Sequence, residues 1–225
     1  MNIQKSISIS GVNLDIYQGP FGISASGGAD SSILLYFLMR ESKEKIYIFT
    51  TGNNQKGRLN VECSVRVIEQ LIKITGNSNI EHHISYAEKQ DRPAVFSEKM
   101  NFYFDNNLIN LVYTGVTRFP PEEIIKEWTD PGSSNLQMRT GELKPFLHKN
   151  WQDLTGTLYT PWINVDKSKI YEIYQQEGLL DTLFPLTRSC EFIPENTDKS
   201  KDLGDGHCGE CFWCKERQWA FGRLS

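Results

Sequence analysis

The stretch Ala25-Ser26-Gly27-Gly28-Ala29-Asp30-Ser31-Ser32 decides the fold, because it lies between two apolar runs. Residues 21–25 before it predict a buried strand, and residues 33–39 after it predict a buried helix. A strand, a tight turn and a helix N-terminus expose unpaired amides and the positive end of the helix dipole, so the junction favours an anion such as phosphate. Gly27 and Gly28 permit backbone conformations that other residues avoid.

The side chains of this loop, residues 26–32, suit the same ligand. Ser26, Ser31 and Ser32 add hydroxyl donors. Asp30 is the exception, because a carboxylate beside phosphates requires a bridging Mg²⁺ or serves as a helix cap. No Gly-Lys-Ser/Thr sequence follows at the spacing of a Walker A loop.

The ordered pattern Ser-Gly-Gly-x-Asp-Ser-Ser resembles the PP-loop of the N-type ATP pyrophosphatases. That resemblance implies that ATP is cleaved between its α and β phosphates and that AMP is placed on a substrate oxygen. It also implies roles for Asp30 and Ser31 in the reaction. The loop residues that it implies as nucleotide contacts are Ser26, Gly27, Gly28, Asp30, Ser31 and Ser32.

Length, charge and hydropathy limit the class of protein. The chain has 225 residues, and its formal net charge of −4 argues against a broad nucleic-acid surface. The N-terminal residues lack an apolar signal core and no apolar run reaches membrane length, so we expect a cytoplasmic protein without a membrane span.

Strand and helix patterns alternate after an N-terminal hairpin at residues 7–18. Further strands are predicted at residues 46–50, 80–84 and 107–114, and helices at residues 59–74, 94–106 and 166–176. This alternation predicts an α/β fold with a doubly wound parallel sheet.

The carboxyl ends of such strands meet at one edge, so we expect loops 26–32, 51–54 and 115–118 to converge on one crevice. Thr51 and Gly52 are candidate adenine or ribose contacts, although a simple turn after the strand explains them equally well. Gly115 is the corresponding candidate in the third loop. Residues 130–143 predict a mobile loop over the site.

Five cysteines occur, at positions 63, 190, 208, 211 and 214. Two overlapping Cys-x-x-Cys steps and one upstream cysteine give four thiolates, which favour a structural, tetrahedral Zn²⁺ held by Cys190, Cys208, Cys211 and Cys214. An iron–sulfur cluster also takes four cysteines and stays an alternative. Cys63 lies on the apolar stripe of a helix, which is typical of a core residue.

Motifs near the C-terminus narrow the resemblance. Four motifs follow one another in an order that resembles the 7-cyano-7-deazaguanine synthase branch of the PP-loop enzymes. They are Thr160-Pro161-Trp162, residues 166–170, Thr187-Arg188-Ser189-Cys190 and the cysteine-rich segment 208–217. Lys167 aligns with a lysine of that branch, which implies a phosphate contact, and a solvated helix lysine is the alternative. The resemblance divides the chain into an ATP-binding α/β domain at residues 1–185 with its N-terminal hairpin, and a zinc-binding segment at residues 186–225. The fold that it implies is that of the adenine nucleotide alpha hydrolases, with a helical zinc-binding appendage.

The activity that the resemblance implies is a C–N bond-forming ligase of queuosine biosynthesis. A carboxylate is adenylated, ammonia displaces AMP to give an amide, and a second ATP drives dehydration to a nitrile. ATP, Mg²⁺ and Zn²⁺, a small-molecule acid, ammonia and a homodimer are the implied cofactors and partners.

Residues 90–145 depart from this branch, because Gly115-Val116-Thr117-Arg118 replaces the expected acidic and Tyr-Pro-Asp-Cys elements. A different acid, base or protein substrate therefore stays open. So do two other functions: PP-loop sulfur transfer to tRNA or adenylyl-sulfate reduction, which need a redox-active cysteine, and a nucleotide-binding protein that depends on a partner.

Overall fold

An antiparallel hairpin opens the chain in the computed structural model, which describes residues 1–53, 58–87, 91–128, 146–148, 154–190 and 207–225. Strand β1 (Ile3–Ile9) turns through Ser10 and Gly11, which both have positive φ angles, into β2 (Val12–Tyr17). The predicted hairpin is therefore confirmed. The Tyr113 hydroxyl holds it to the main sheet, because it accepts from the Tyr17 amide at 3.0 Å and donates to the Asp15 carbonyl at 3.1 Å.

The main sheet has six strands in the order β5-β4-β3-β6-β8-β7. Its strands are β3 (Phe21–Ser24), β4 (Ile46–Asn53), β5 (Ile80–Ala87), β6 (Val112–Thr114), β7 (Phe146–His148) and β8 (Thr157–Tyr159). Five of them run parallel, and β7 pairs antiparallel with β8 at one edge. The predicted α/β class with a parallel sheet is confirmed.

Helices lie between these strands along the chain and after the last of them. They are α1 (Ala29–Glu41), α2 (Arg58–Thr75), α3 (Arg92–Asp105), α4 (Glu122–Ile125), α5 (Lys167–Gln176) and α6 (Phe212–Phe221). Helix α5 corresponds to the helix predicted at residues 166–176; Asp166 caps it by accepting from the Ser168 amide, and Gly178 follows it with a φ of 67°.

Two apolar clusters cover the sheet. The larger one contains buried side chains of α1, α2 and α5, together with Phe184 and Phe221 near the C-terminus. The smaller one joins Met100 and Tyr103 of α3 to Phe49, Val112 and Leu158 of the sheet. Helix α1 passes through the larger cluster with every residue from Ile33 to Met39 buried, so the loop before it is fixed to the core.

The strand predicted at residues 107–114 is wrong in its extent, because only Val112–Thr114 pair in the sheet. Asn107 has a φ of 55°, which breaks the extended backbone, although Ile109 and Leu111 are buried. The short strands β7 and β8 carry too few residues for a periodic pattern to predict them. No helix among the described residues is long and apolar enough to cross a membrane.

Candidate active site

Loop 26–32 joins the carboxyl end of the central strand β3 to the first turn of α1. Gly27 has a φ of 75°, and a Cβ there would lie 2.7 Å from the Asn60 carbonyl oxygen and 2.8 Å from the Ser64 amide nitrogen. The loop therefore needs glycine both for its backbone angle and for its close contact with α2.

The hydroxyls of this loop brace its own backbone. Ser31 Oγ accepts from the Ser26 amide at 3.3 Å, and the hydroxyls of Ser31 and Ser32 donate to the Gly28 carbonyl at 3.2 and 2.7 Å. Within the described part of the chain, the amides of Gly27, Ala29, Asp30 and Ser31 have no hydrogen-bond partner. Free amides at the start of a 13-residue helix are suited to an anion, and the phosphate contact expected from the sequence stays a prediction.

A cavity of about 250 Å³ opens beside the loop, at the carboxyl edge of the sheet. Loop 26–32 contributes Ser26, Asp30 and Ser31 to its wall, and the chain after β6 contributes residues 114–117. The rest of the described wall comes from Ser24, Asn60, Phe96, Lys167, Arg188, Ser189 and Trp213. Two of the three loops expected to converge therefore do meet here.

Two buried hydroxyls face this cavity from the segment after β6. Thr114 and Thr117 line it, are at most 4% exposed, and their Oγ1 atoms have no hydrogen-bond partner among the described residues. Gly115 lies between them, and a Cβ on it would approach the Ser31 amide nitrogen to 2.6 Å. Buried hydroxyls without partners are costly, so these two favour a polar ligand in the cavity.

Lys167, the first residue of α5, places its ammonium group beside Asp30 of the loop. It is 4% exposed, and its Nζ lies 2.6 Å from Glu216 Oε2 and 3.4 Å from Asp30 Oδ2. The Trp213 ring lies 5.6 Å from the same ammonium group. The alternative of a solvated lysine is therefore wrong.

Asp30, in the first turn of α1, lies beside the Lys167 ammonium group. Its Oδ2 faces Lys167, whereas its buried Oδ1 has no hydrogen-bond partner in the described structure. A buried carboxylate oxygen without a donor beside free amides is suited to a hard cation.

The segment before the first cluster cysteine is tied to the loop. The Arg188 amide donates to the Gly27 carbonyl at 2.8 Å, and its Nε donates to the Cys190 carbonyl at 3.0 Å. Arg217 of α6 is fully buried, stacks 3.8 Å from the Phe184 ring centre and donates to the Thr187 hydroxyl at 2.9 Å. Burial lowers the pKa of the Arg217 guanidinium to about 10.

The cysteine cluster comprises Cys190, Cys208, Cys211 and Cys214, whose sulfur atoms all lie within 4.8 Å of one another. Two of the edges measure 3.8 Å (Cys190–Cys211) and 3.9 Å (Cys208–Cys214). Tetrahedral metal–sulfur bonds of about 2.3 Å give an edge of about 3.8 Å, so the sulfurs fit a single tetrahedral ion.

Thiol crowding at this cluster supports the need for a cation. The neighbouring Cys190 thiol, together with burial, raises the pKa of Cys214 to about 11, and it also raises the pKa of Cys211. Four sulfurs this close cannot ionise together without a positive ion between them.

Three sequence candidates lie away from the described cavity wall. Thr51 and Gly52 sit inside β4, where they pair with Ser85 and Tyr86 of β5. Their contact with a nucleotide stays a prediction. Cys63 is 3% exposed in α2, as expected of a core residue. The predicted loop at residues 130–143 lies outside the described residues.

Sequence reasoning did not identify Glu216, nor the cavity residues Thr114, Thr117, Asn60 and Trp213. The two threonines had a signal, because Thr117 belongs to a loop already expected at the site and Thr114 immediately precedes that loop. Glu216 had none, since its role depends on how α6 packs against α5.

No family model matches the chain. It is similar to the 7-cyano-7-deazaguanine synthase of Staphylococcus haemolyticus (strain JCSC1435), with 23% identity over 214 residues, which cover 86% of this chain and 87% of that protein.

Three solved structures are among those to which the chain is similar. NH3-dependent NAD synthetase from Campylobacter jejuni is 19% identical with a TM-score of 0.44, over 75% of this chain and 68% of that one. NMN synthetase from Francisella tularensis is 14% identical with a TM-score of 0.43, over 90% and 84% of the two chains. The U34-tRNA thiolase NcsA from Methanococcus maripaludis, solved with its [4Fe-4S] cluster, is 10% identical with a TM-score of 0.47, over 91% and 70%.

The loop pattern, its position at the centre of a parallel sheet and the similarity over most of the chain bear out the resemblance to the PP-loop N-type ATP pyrophosphatases, and within them to 7-cyano-7-deazaguanine synthase.

Proposed function

We propose that this chain uses ATP to adenylate a substrate carboxylate and then joins the activated carbonyl to a nitrogen nucleophile, in the manner of a 7-cyano-7-deazaguanine synthase. The observation that carries the proposal is the set of unpartnered amides in loop 26–32 at the wall of a cavity that Lys167 and Arg188 also line. Backbone donors at the positive end of a helix dipole, with two cationic side chains beside them, suit the negatively charged oxygens of a triphosphate.

The chemistry needs ATP because a carboxylate is a poor electrophile. Its oxygen attacks the α phosphorus, the bond from that phosphorus to the α,β-bridging oxygen breaks, and pyrophosphate leaves. Ammonia then attacks the carbonyl carbon, AMP leaves with the former carboxylate oxygen, and nitrogen loses a proton to give the amide. A nitrile would follow by dehydration driven by a second ATP. Loop amides and the Lys167 ammonium hold the phosphates in line and offset the negative charge that grows on pyrophosphate.

Two metal ions complete the proposal. Asp30 would hold Mg²⁺ through its free Oδ1, where the ion would neutralise phosphate charge. The cysteine cluster would hold Zn²⁺, which would be structural because all four positions are taken by sulfur. An iron–sulfur cluster is the alternative that elemental analysis of the purified protein separates from zinc, because only one of them contains iron and inorganic sulfide.

The test is product analysis with candidate acids, 7-carboxy-7-deazaguanine first. We expect AMP and pyrophosphate in equal amounts, dependent on the acid, and an amide or nitrile once ammonia is added. Release of ADP without pyrophosphate would overturn the proposal.

One variant separates this reaction from sulfur transfer. Cys63→Ser leaves adenylation unchanged, because Cys63 is buried in α2 and does not line the described cavity wall. Loss of activity in this variant, with its metal content intact, would favour redox chemistry at Cys63 instead.

A further inference from the structure

Lys167 is held by carboxylates from two other helices. Its Nζ lies 2.6 Å from Glu216 Oε2 of α6 and 3.4 Å from Asp30 Oδ2 of α1. Helices α1, α5 and α6 therefore meet at one ammonium group. Of the two carboxylates, Glu216 is the nearer and the more deeply buried, with no exposed surface.

Glu216 lies behind the cavity rather than in it. Asp30 and Lys167 both belong to the described wall, whereas Glu216 does not. A ligand in the cavity can therefore touch the Lys167 ammonium directly. Glu216 would act on such a ligand through that ammonium.

Stability alone is a weak reason for this pair. Removing a lysine and a glutamate from water costs more free energy than their attraction usually returns, and apolar pairs of similar size often serve a fold better. Lys167 is also the first residue of α5, where the positive end of the helix dipole opposes a cation. The pair is therefore better explained by a role in fixing the position of Lys167 Nζ at the cavity wall.

We propose that Glu216 is a positioning residue that holds the Lys167 ammonium at the cavity wall for the phosphates of a bound nucleotide. This inference rests on the proposed ATP binding, and not on the adenylation that follows. When Asp30 binds a cation, its attraction for Lys167 falls, and Glu216 becomes the carboxylate that keeps the ammonium in place.

The test uses calorimetry on the whole, metal-loaded chain. It measures the affinity for ATP and the affinity for adenosine, which lacks the phosphates. We expect Glu216→Gln to weaken ATP binding about tenfold, the size of one lost charge-assisted contact. Adenosine affinity stays unchanged, because Lys167 acts on phosphate alone. A general disturbance of the cavity would weaken both ligands together.

A second variant separates charge from packing. Glu216→Asp keeps the carboxylate but leaves a small gap, whereas Glu216→Gln keeps the volume but removes the charge. A positioning role predicts that Glu216→Asp retains more ATP affinity than Glu216→Gln. A packing role predicts the reverse order. The paired change Lys167→Met with Glu216→Met keeps the interior filled without a lone charge. We expect it to fold and to bind ATP at least as weakly as Glu216→Gln.

Glu172→Gln is the matched control, because Glu172 pairs with Lys169 on the exposed side of the same helix. It should bind ATP as the wild type does. Unchanged ATP affinity in folded Glu216→Gln, or an equal loss for adenosine, overturns the inference, as does a wild-type chain that binds no ATP. ATP binding without pyrophosphate release overturns only the proposed reaction.

Discussion

Loop 26–32 and the cysteine cluster are both compact candidate binding sites, and different parts of the chain build them. The loop uses main-chain amides and the absence of side chains, since Gly27 within it and Gly115 beside it each touch backbone where a Cβ would collide. The cluster uses four side chains from two distant segments, and its backbone matters only in bringing sulfurs within 4.8 Å. The first site is therefore sensitive to any added atom, and the second to the loss of one sulfur.

The largest expected effect is on the cluster. Cys190→Ser removes a fully buried thiol of the proposed metal site and should lower the free energy of unfolding by about 3–5 kcal/mol, because a bound metal would contribute directly to folding. Urea denaturation and the metal-to-protein ratio measure it. Cys63→Ser, another buried cysteine but outside the cluster, should keep the full metal content. Wild-type stability and metal content in the Cys190→Ser variant would show that Cys190 does not hold a metal.

The next effect is on the loop. Gly27→Ala places a Cβ 2.7 Å from the Asn60 carbonyl oxygen and forces alanine to a φ of 75°, which together should cost about 1–3 kcal/mol of stability. We expect ATP affinity, measured by calorimetry, to fall at least about tenfold because the amides move. Gly76→Ala is the control, since Gly76 has a φ of 68° with open space around it. Equal ATP affinity in the Gly27 variant would show that the loop does not bind phosphate.

The smallest effect concerns the polar support under the loop. Thr50 Oγ1 donates to the Ala25 carbonyl at 2.7 Å and lies 2.9 Å from His82 Nε2. Burial, with a smaller effect of His83, lowers the pKa of His82 to about 4. The unfolded chain binds this proton near pH 6.5, so the stability that neutral His82 contributes is present above pH 6.5 and is lost as the pH falls towards 4.

We expect this loss to reach about 1–2 kcal/mol, because His82 is only partly buried and solvent screens its charge. Urea denaturation between pH 7 and pH 4 measures it, and His82→Gln, which cannot take up the proton, should flatten the dependence over that range. An unchanged pH dependence in this variant would exclude His82 as its source.

Sequence patterns predicted the features that depend on neighbours along the chain. The Ser-Gly-Gly loop, the capped helix α5 and the spacing of Cys208, Cys211 and Cys214 are local, so each carried its own signal. The parallel sheet followed from the alternation of strands and helices.

What the sequence did not predict depends on packing between distant segments. Lys167 is 49 residues from Glu216, and no periodic pattern relates a helix N-terminus to the interior of another helix. The end of β4 shows the same limit, because Gly52 continues the strand against Tyr86 instead of turning towards the cavity.

The contact of Gly115 with the first turn of α1 has a consequence for engineering this protein. Because Gly115 abuts the backbone of Ser31, no larger residue fits at position 115 without moving the first turn of α1. Libraries that alter which ligand the cavity accepts should therefore begin at Val116 and leave the backbone contacts of Gly27 and Gly115 unchanged.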